Sequence, residues 1–183
     1  MSGSHSLVLQ EQRHLKWRAL DLLEQILMVL CGICITAFCL LVMGDIVTRL
    51  IGYPWLWVQE ATMLFFIYGI FFGVAAATRR NDHLYLAVLA ESMSGNARLF
   101  FEMVNRSIVL GVALCMIYFG YINFLDGFKS LSMPSMLPMA NFYAAIPIAG
   151  VLVSLFTIEQ MVNGWRHGFA DPSGAKEEKR QTL

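Results

Sequence analysis

Long apolar runs alternate with short charged segments along most of the chain. Four runs are long enough to cross a bilayer, because about 20 apolar residues at ~1.5 Å each span a ~30 Å hydrocarbon core. They predict transmembrane helices at about 23–47, 58–78, 103–125 and 140–161. Lipid offers no partners to an open backbone, so each span is expected to be helical. The predicted fold is an all-α integral membrane protein whose membrane domain covers residues 21–165.

A shorter amphipathic pattern lies between the second and third spans. Leu86, Leu89, Ala90 and Met93 recur at the i, i+3, i+4, i+7 spacing of one helical face. This pattern predicts a helix over about 84–94 that lies along the membrane surface. A partner helix is an equally good alternative as the contact for its apolar face.

Composition and charge placement agree with a membrane protein of defined orientation. Hydrophobic residues make up 57% of the chain and charged residues 14%, whereas soluble domains have about 25% charged residues. Eleven of the 13 Lys and Arg residues lie in the N-terminal segment, the middle loop and the C-terminal segment. The positive-inside rule therefore predicts a cytoplasmic N-terminal segment (1–20), a cytoplasmic middle loop and a flexible cytoplasmic tail (166–183).

The remaining composition argues against several classes of function. The net charge is zero and no basic patch with interleaved aromatic residues is present, so nucleic acid is not an expected partner. The four histidines lie outside the spans, and neither metal-ligand spacing nor a catalytic constellation is found, so we predict no cofactor, no metal and no enzymatic activity. Cys31-x-x-Cys34 lies within an apolar run and is interpreted as packing. A thiol or quinone oxidoreductase using this pair is kept as an alternative.

Three charged residues at the outer ends of the first two spans form the main candidate site. Asp45 and Arg49 are separated by one helical turn, and Glu60 opens the second span at a similar depth. We interpret them as an ion-pair clasp between the two helices. The alternatives are a proton or cation site, since intramembrane carboxylates often have that role, and a partner-binding role.

Several short motifs then occur in an informative order. An arginine ends the first span, a Trp-x-x-Glu motif opens the second, and a small-residue turn and a basic segment with a histidine follow. In this sequence they read Arg49, Trp57-Val58-Gln59-Glu60, Gly73 in FFGVAAA, and Arg79-Arg80-Asn81-Asp82-His83. With the later outer loop SLSMPSMLPM, the chain resembles the small (Q-type, DctQ-like) membrane subunit of tripartite ATP-independent periplasmic (TRAP) transporters. It departs from that family at Asn81-Asp82, where a glycine is usual, and in LYLAVL, which lacks the usual aspartate.

The resemblance implies a fold and a function. It implies four transmembrane helices and a horizontal cytoplasmic helix, in a multi-pass protein of the bacterial inner membrane. It also implies a scaffold role in sodium-coupled uptake of organic acids, with a large permease as stable partner and a periplasmic substrate-binding protein as transient partner. For the outer docking surface we predict Tyr53, Trp55, Ser132, Pro134 and Pro138. A self-sufficient small transporter that uses Glu60 is the alternative.

Overall fold

The structure, a computed structural model, describes residues 16–80, 96–133 and 135–167. Within these ranges the elements follow in the order α1 (Arg18–Leu50), α2 (Trp57–Arg80), α3 (Asn96–Asp126), a 3-10 turn (Gly127–Lys129), β1 (Leu131–Ser132), β2 (Leu137–Pro138), α4 (Ala140–Tyr143) and α5 (Ala145–His167). These elements include four helical segments that are long and apolar enough to cross a membrane. This confirms the predicted fold class. The predicted helix at 84–94 lies outside the described residues. The flanking segments 1–20 and 166–183 lie mostly outside them too, and their bounds stay predictions.

The long helices continue beyond the predicted apolar spans. α1 begins at Arg18 and α3 at Asn96, whereas the apolar runs predict starts near 23 and 103. Polar residues continue the helical hydrogen-bond ladder as readily as apolar ones, so a criterion based on apolar length alone ends too early. The additional turns place charged side chains where neighbouring helices can contact them.

The fourth span is interrupted close to its beginning. α4 ends at Tyr143 and α5 begins at Ala145. Pro147 lies in the first turn of α5, where its missing N–H is tolerated, but its ring clashes with a helical carbonyl four residues earlier. That carbonyl belongs to Tyr143, so the proline explains why two helices replace one continuous helix.

The four long helices, α1, α2, α3 and α5, pack side by side in an open row. α1 packs along α2, α2 along α5, and α5 along α3. The apolar core consists of Leu27, Ala75, Ala113, Val153 and Phe156. The central helices α2 and α5 are the most buried, while α1 and α3 at the two ends of the row expose most of their apolar side chains. Such faces suit lipid or another membrane protein.

Small residues set the close approach of the helices. A Cβ on Gly150 of α5 would lie 2.9 Å from the Ile117 Cγ1 and 3.0 Å from the Ala113 carbonyl oxygen of α3. Between α2 and α1, a Cβ on Gly69 would lie 3.3 Å from the Cys34 Cβ. The Cys31 thiol donates to the Gly69 carbonyl at 3.4 Å. Close packing of small residues is the main source of helix association in lipid, and both cysteines contribute to it here.

A short hairpin joins α3 to α4. Its strands pair antiparallel, with Leu131 opposite Pro138 and Ser132 opposite Leu137. Met136, in the connection between the strands, has a φ of 59°. The hairpin Leu131–Pro138 lies at one end of the helices along their axes, and we call this end of the molecule the hairpin end. The opposite end, with Arg79, Arg80 and Arg106, is called the basic end.

Candidate functional site

A buried arginine organises the basic end. The side chain of Arg79, at the end of α2, is fully buried. Its Nη1 donates to the Glu24 Oε2 at 2.6 Å and its Nε to the Glu159 Oε2 at 3.1 Å. Its Nη2 donates to the Asp21 Oδ1 and to the Trp17 carbonyl oxygen, each at 2.9 Å. This Arg79 cluster therefore joins α2 to both α1 and α5.

The buried charges of the cluster are paired. Glu24 and Glu159 are fully buried, and Arg80 makes a second ion pair with Glu24 at 3.3 Å. Lys16 is also buried nearby; burial lowers its pKa from the ordinary value, and the negative charge of Glu24 opposes that shift. Buried carboxylates are tolerated only when they are paired and hydrogen-bonded, and this cluster meets both conditions.

Aromatic groups close the cluster on two sides. The Cζ of Arg79 lies 5.5 Å from the centre of the Phe156 ring, which is a cation–π distance. The Trp17 backbone N–H donates to the Glu159 carboxylate, and the Trp17 indole N–H donates to the Asn163 Oδ1 at 2.7 Å. The residue just before α1 is thereby fixed against α5.

Gln160 extends the polar contacts to α3. Its amide nitrogen donates to the carbonyl oxygens of Thr78 and Arg79, each at 3.0 Å. Its amide oxygen accepts a hydrogen bond from the buried guanidinium of Arg106, which also pairs with Glu102 at 3.4 Å. All four long helices are consequently joined by one continuous set of polar contacts at the basic end.

A buried carboxylate organises the hairpin end. Glu60 lies in the first turn of α2 and is 9% exposed. The Ser132 hydroxyl donates to its Oε1 at 2.8 Å, the Ser135 backbone N–H donates to the same oxygen at 3.4 Å, and the Ser135 hydroxyl donates to its Oε2. This Glu60 cluster (Glu60, Ser132, Ser135) fixes the hairpin to α2.

The predicted clasp of Asp45, Arg49 and Glu60 is divided by the structure. Arg49 Nε pairs with Asp45 Oδ2 at 2.9 Å, one turn away on α1, and the Arg49 side chain is half exposed. Among the described residues, Glu60 is bound by the two serines and not by Arg49. Glu60 is buried on α2 and faces the hairpin. The carboxylate therefore holds a loop to α2 instead of holding α1 to α2.

The other predicted site residues have different surroundings. Trp57 of the family motif is exposed and its ring lies 6.1 Å from that of Trp55. Of the predicted docking residues, Tyr53 and Trp55 are exposed, Pro138 is partly buried, and Ser132 is buried against Glu60. Ser132 therefore offers no free surface. His83 and Pro134 lie outside the described residues.

The partners of Arg79 were not predicted from the sequence. Glu24 and Glu159 are central to the cluster, yet the sequence suggested no role for either. A signal was present: Glu24 immediately precedes the uncharged run 25–44, and Glu159 immediately follows the uncharged run 130–158. With the predicted alternation of the spans, both carboxylates lie at the same membrane depth as Arg79.

Two largely apolar hollows lie beside the helices. A hollow of about 470 Å³ between α1 and α2 is lined by apolar side chains such as Phe38, Phe66 and Ile70. A second, of about 250 Å³, lies where α2 meets α4 and is also largely apolar. In the described ranges, no group of three His, Cys, Asp or Glu residues is placed to hold a metal ion. The two clusters thus use their polar atoms to hold the chain's own elements.

Comparison with known proteins agrees with this architecture. Residues 38–167 match the family model described as the DctQ component of tripartite ATP-independent periplasmic transporters. The chain is also similar to the sialic acid TRAP transporter permease protein SiaT of Haemophilus influenzae (strain 86-028NP), at 23% identity over 115 residues. That match covers 63% of this chain and 19% of the relative, so the chain spans about a fifth of the length of the curated relative. The family match covers most of the chain and confirms the predicted resemblance: this chain belongs to the DctQ component family of tripartite ATP-independent periplasmic transporters.

Proposed function

We propose that this chain is the scaffold subunit of a sodium-coupled transporter that takes up organic acids. In this proposal it forms a stable heterodimer with a large permease subunit and contacts a periplasmic substrate-binding protein transiently. Membership of the DctQ family is the observation that carries the proposal. The name of the relative refers to sialic acid, which is a carboxylate, and this supports an organic acid as the substrate class.

The distribution of charge supports a scaffold role. The four spans are uncharged through their centres, over 25–44, 61–78, 107–125 and 140–158. Carboxylates that move ions are expected near the membrane centre or along a water-filled path. In the described structure Glu24, Glu159 and Glu60 are engaged in contacts that hold helices and loops together. The transport site would then belong to the permease.

The open row of helices supports association with a permease. α1 and α3 expose apolar faces along most of their length, and the hollow between α1 and α2 is open to the surroundings. The matched relative is named as a permease protein, and this chain corresponds to about a fifth of it. That relation supports physical association between this chain and the remaining permease.

The charge distribution along the chain supports an orientation. The basic end carries Arg79, Arg80, Arg106 and Arg166, and Lys and Arg favour the cytoplasmic side. We propose that both termini are cytoplasmic, in the inner membrane of a bacterium. The hairpin end would then face the periplasm, where a binding protein would reach it.

The proposal is tested by reconstitution in liposomes. The chain, the large permease and the binding protein are combined with a labelled organic acid and an inward sodium gradient. We expect uptake only when all three proteins and the gradient are present, and no uptake by the chain alone. Potassium in place of sodium is the matched control. Uptake catalysed by the chain alone, or full uptake by permease and binding protein without it, would overturn the proposal.

A further inference from the structure

Glu60 differs from the carboxylates of the basic end in the kind of partner it has. Glu24 and Glu159 are paired with arginines, whereas Glu60, within the part of the chain that the structure describes, accepts hydrogen bonds only from neutral groups. These are the Ser132 hydroxyl and the backbone N–H and hydroxyl of Ser135. The first turn of α2, where Glu60 lies, adds the helix dipole, which favours a negative charge. The buried carboxylate is thus stabilised by donors and a dipole and not by a cation.

The other charged side chains at the hairpin end are paired with each other. On α1, Arg49 donates to Asp45 at 2.9 Å. At the end of α3, Lys129 of the 3-10 turn pairs with Asp126 at 2.6 Å, and both are exposed. The hairpin carries no charge, the charged side chains of α5 lie at the basic end, and α4 contributes only the phenol of Tyr143, which stays neutral in acid. Acid titration of the hairpin contacts in the described structure therefore falls on the carboxylate of α2.

The backbone of the hairpin depends on the residues that this carboxylate holds. The Ser135 N–H donates to Glu60 itself at 3.4 Å, and the next residue, Met136, donates its N–H to the Ser132 carbonyl at 2.8 Å. Met136 has a φ of 59°, in the left-handed region that methionine adopts less readily than glycine. A strained turn of this kind persists only while the surrounding contacts hold it. The Glu60 contacts hold both serines that precede Met136 and thereby stabilise the turn.

Uptake of a proton by Glu60 changes what its oxygens can do. An ionised carboxylate only accepts hydrogen bonds, and these are roughly twice as strong as hydrogen bonds between neutral groups. A protonated carboxyl group carries a donor on one oxygen; the serine hydroxyls can turn to accept from it, but the Ser135 N–H can only donate. Burial by itself favours the neutral form, whereas three donors and the helix dipole act together on the ionised form. The ionised form therefore holds the hairpin more firmly than the neutral form.

We propose that the Glu60 cluster is an acid-sensitive switch, which holds the hairpin on α2 at neutral pH and releases it when Glu60 takes up a proton. The attachment is complete while the carboxylate is ionised and is lost as the pH falls toward about 4, where carboxyl groups ordinarily titrate. In the orientation of the proposed function the switch faces the periplasm, so acid outside the cell would release the hairpin and cytoplasmic acid would not. Only this direction rests on the proposed function.

Amide hydrogen exchange of the full chain in nanodiscs measures the attachment directly. Exchange over residues 131–139 is followed from about pH 7 to about pH 4 and corrected for the chemical exchange rate at each pH. We expect the protection of the Ser135 and Met136 amides to fall at least about tenfold over this range, as for the loss of a hydrogen bond to a charged group. The middle of α2 should keep its protection and serves as the internal reference.

Substitutions identify the group that takes up the proton. Glu60→Gln cannot ionise, so its hairpin should exchange at neutral pH as fast as that of the wild type in acid, with no further change on acidification. Ser135→Ala keeps the carboxylate and should retain the pH dependence from a lower starting protection. Asp45→Asn and Asp126→Asn, which remove the other two carboxylates described at the hairpin end, are the matched controls and should leave the wild-type pH profile unchanged.

The outcomes separate the switch from the proposed function. Wild-type protection that stays constant down to about pH 4 overturns the switch, and so does a fall that persists in Glu60→Gln. The wild-type profile decides the first point even if Glu60→Gln does not fold. In sealed right-side-out membrane vesicles, external acid should speed exchange over 131–139 and internal acid should not. Release by internal acid alone would contradict the proposed orientation and leave the switch intact.

Discussion

Arg79 joins three helices through a single side chain. Its guanidinium reaches Glu24, Glu159, Asp21 and the Trp17 carbonyl in different directions. A planar group with five donors suits this arrangement, whereas a lysine ammonium is a compact point charge on a flexible stem. Removing two carboxylates from water carries a large penalty, which the arginine offsets only while all the contacts are made.

We therefore expect Arg79→Met to destabilise the chain strongly. The substitution leaves Glu24 and Glu159 buried without their common partner, and breaking a buried pair in this way costs about 3–5 kcal/mol. The free energy of unfolding in detergent, followed by circular dichroism, measures the effect. Arg79→Lys is expected to lose part of this stability, because one ammonium cannot reach all four acceptors.

Two comparisons separate unpaired charge from lost packing. Arg49→Met removes a half-exposed ion pair at the hairpin end and should change the free energy of unfolding by no more than about 1 kcal/mol. Combining Arg79→Met with Glu159→Gln removes one uncompensated carboxylate while Glu24 keeps its ion pair with Arg80, and should recover part of the loss. If Arg79→Met alone unfolds like the wild type, the Arg79 cluster does not hold the helices together.

At the scale of the element, glycine positions determine how closely α3 and α5 pack. Gly120 of α3 and Gly150 of α5 both lie at the contact between these helices. A Cβ on Gly120 would lie 2.9 Å from the Pro147 Cδ of α5, and a Cβ on Gly150 would lie 2.9 Å from the Ile117 Cγ1 of α3. By contrast, Gly111 on α3 has no neighbouring atom within 4 Å of such a Cβ. Gly111 and Gly150, each followed by a valine in the sequence, thus have different structural roles.

This contrast gives a matched pair of substitutions. Gly150→Ala places a methyl group against the α3 backbone and should destabilise the chain by about 1–3 kcal/mol, as overpacking does. Gly111→Ala adds the same group in open space within a helix and should be neutral or stabilising by up to about 1 kcal/mol. Urea unfolding of both variants in the same detergent measures the difference. Equal stability of the two would mean that α3 and α5 do not pack as closely as these distances require.

The sequence was sufficient for some elements and insufficient for others, for identifiable reasons. The spans follow from the length of apolar runs, and the Asp45–Arg49 pair follows from its spacing on one helix. The partners of Glu60 lie 72 and 75 residues away in the chain, and no local spacing identifies them. The same holds for Glu24 and Glu159. They meet Arg79 only because the beginning of α1 and the C-terminal parts of α2 and α5 lie at the same depth.

At the scale of the whole molecule, the polar contacts are concentrated at the two ends and the apolar surface lies between them. The Arg79 cluster fixes the helices at the basic end, and the Glu60 cluster fixes the hairpin at the other. Between them, the open row leaves broad faces of α1 and α3 uncovered. A molecule built in this way is suited to remain rigid while a larger membrane partner packs against its apolar side.

The most direct test of this account is the mass of the particle that contains the chain in its native membrane. The chain is given an affinity tag, extracted in mild detergent, and purified without overexpression of any partner. Light scattering with detergent correction and native mass spectrometry then give the composition. The account predicts a one-to-one complex with a large permease. A stable homo-oligomer free of any permease would contradict it.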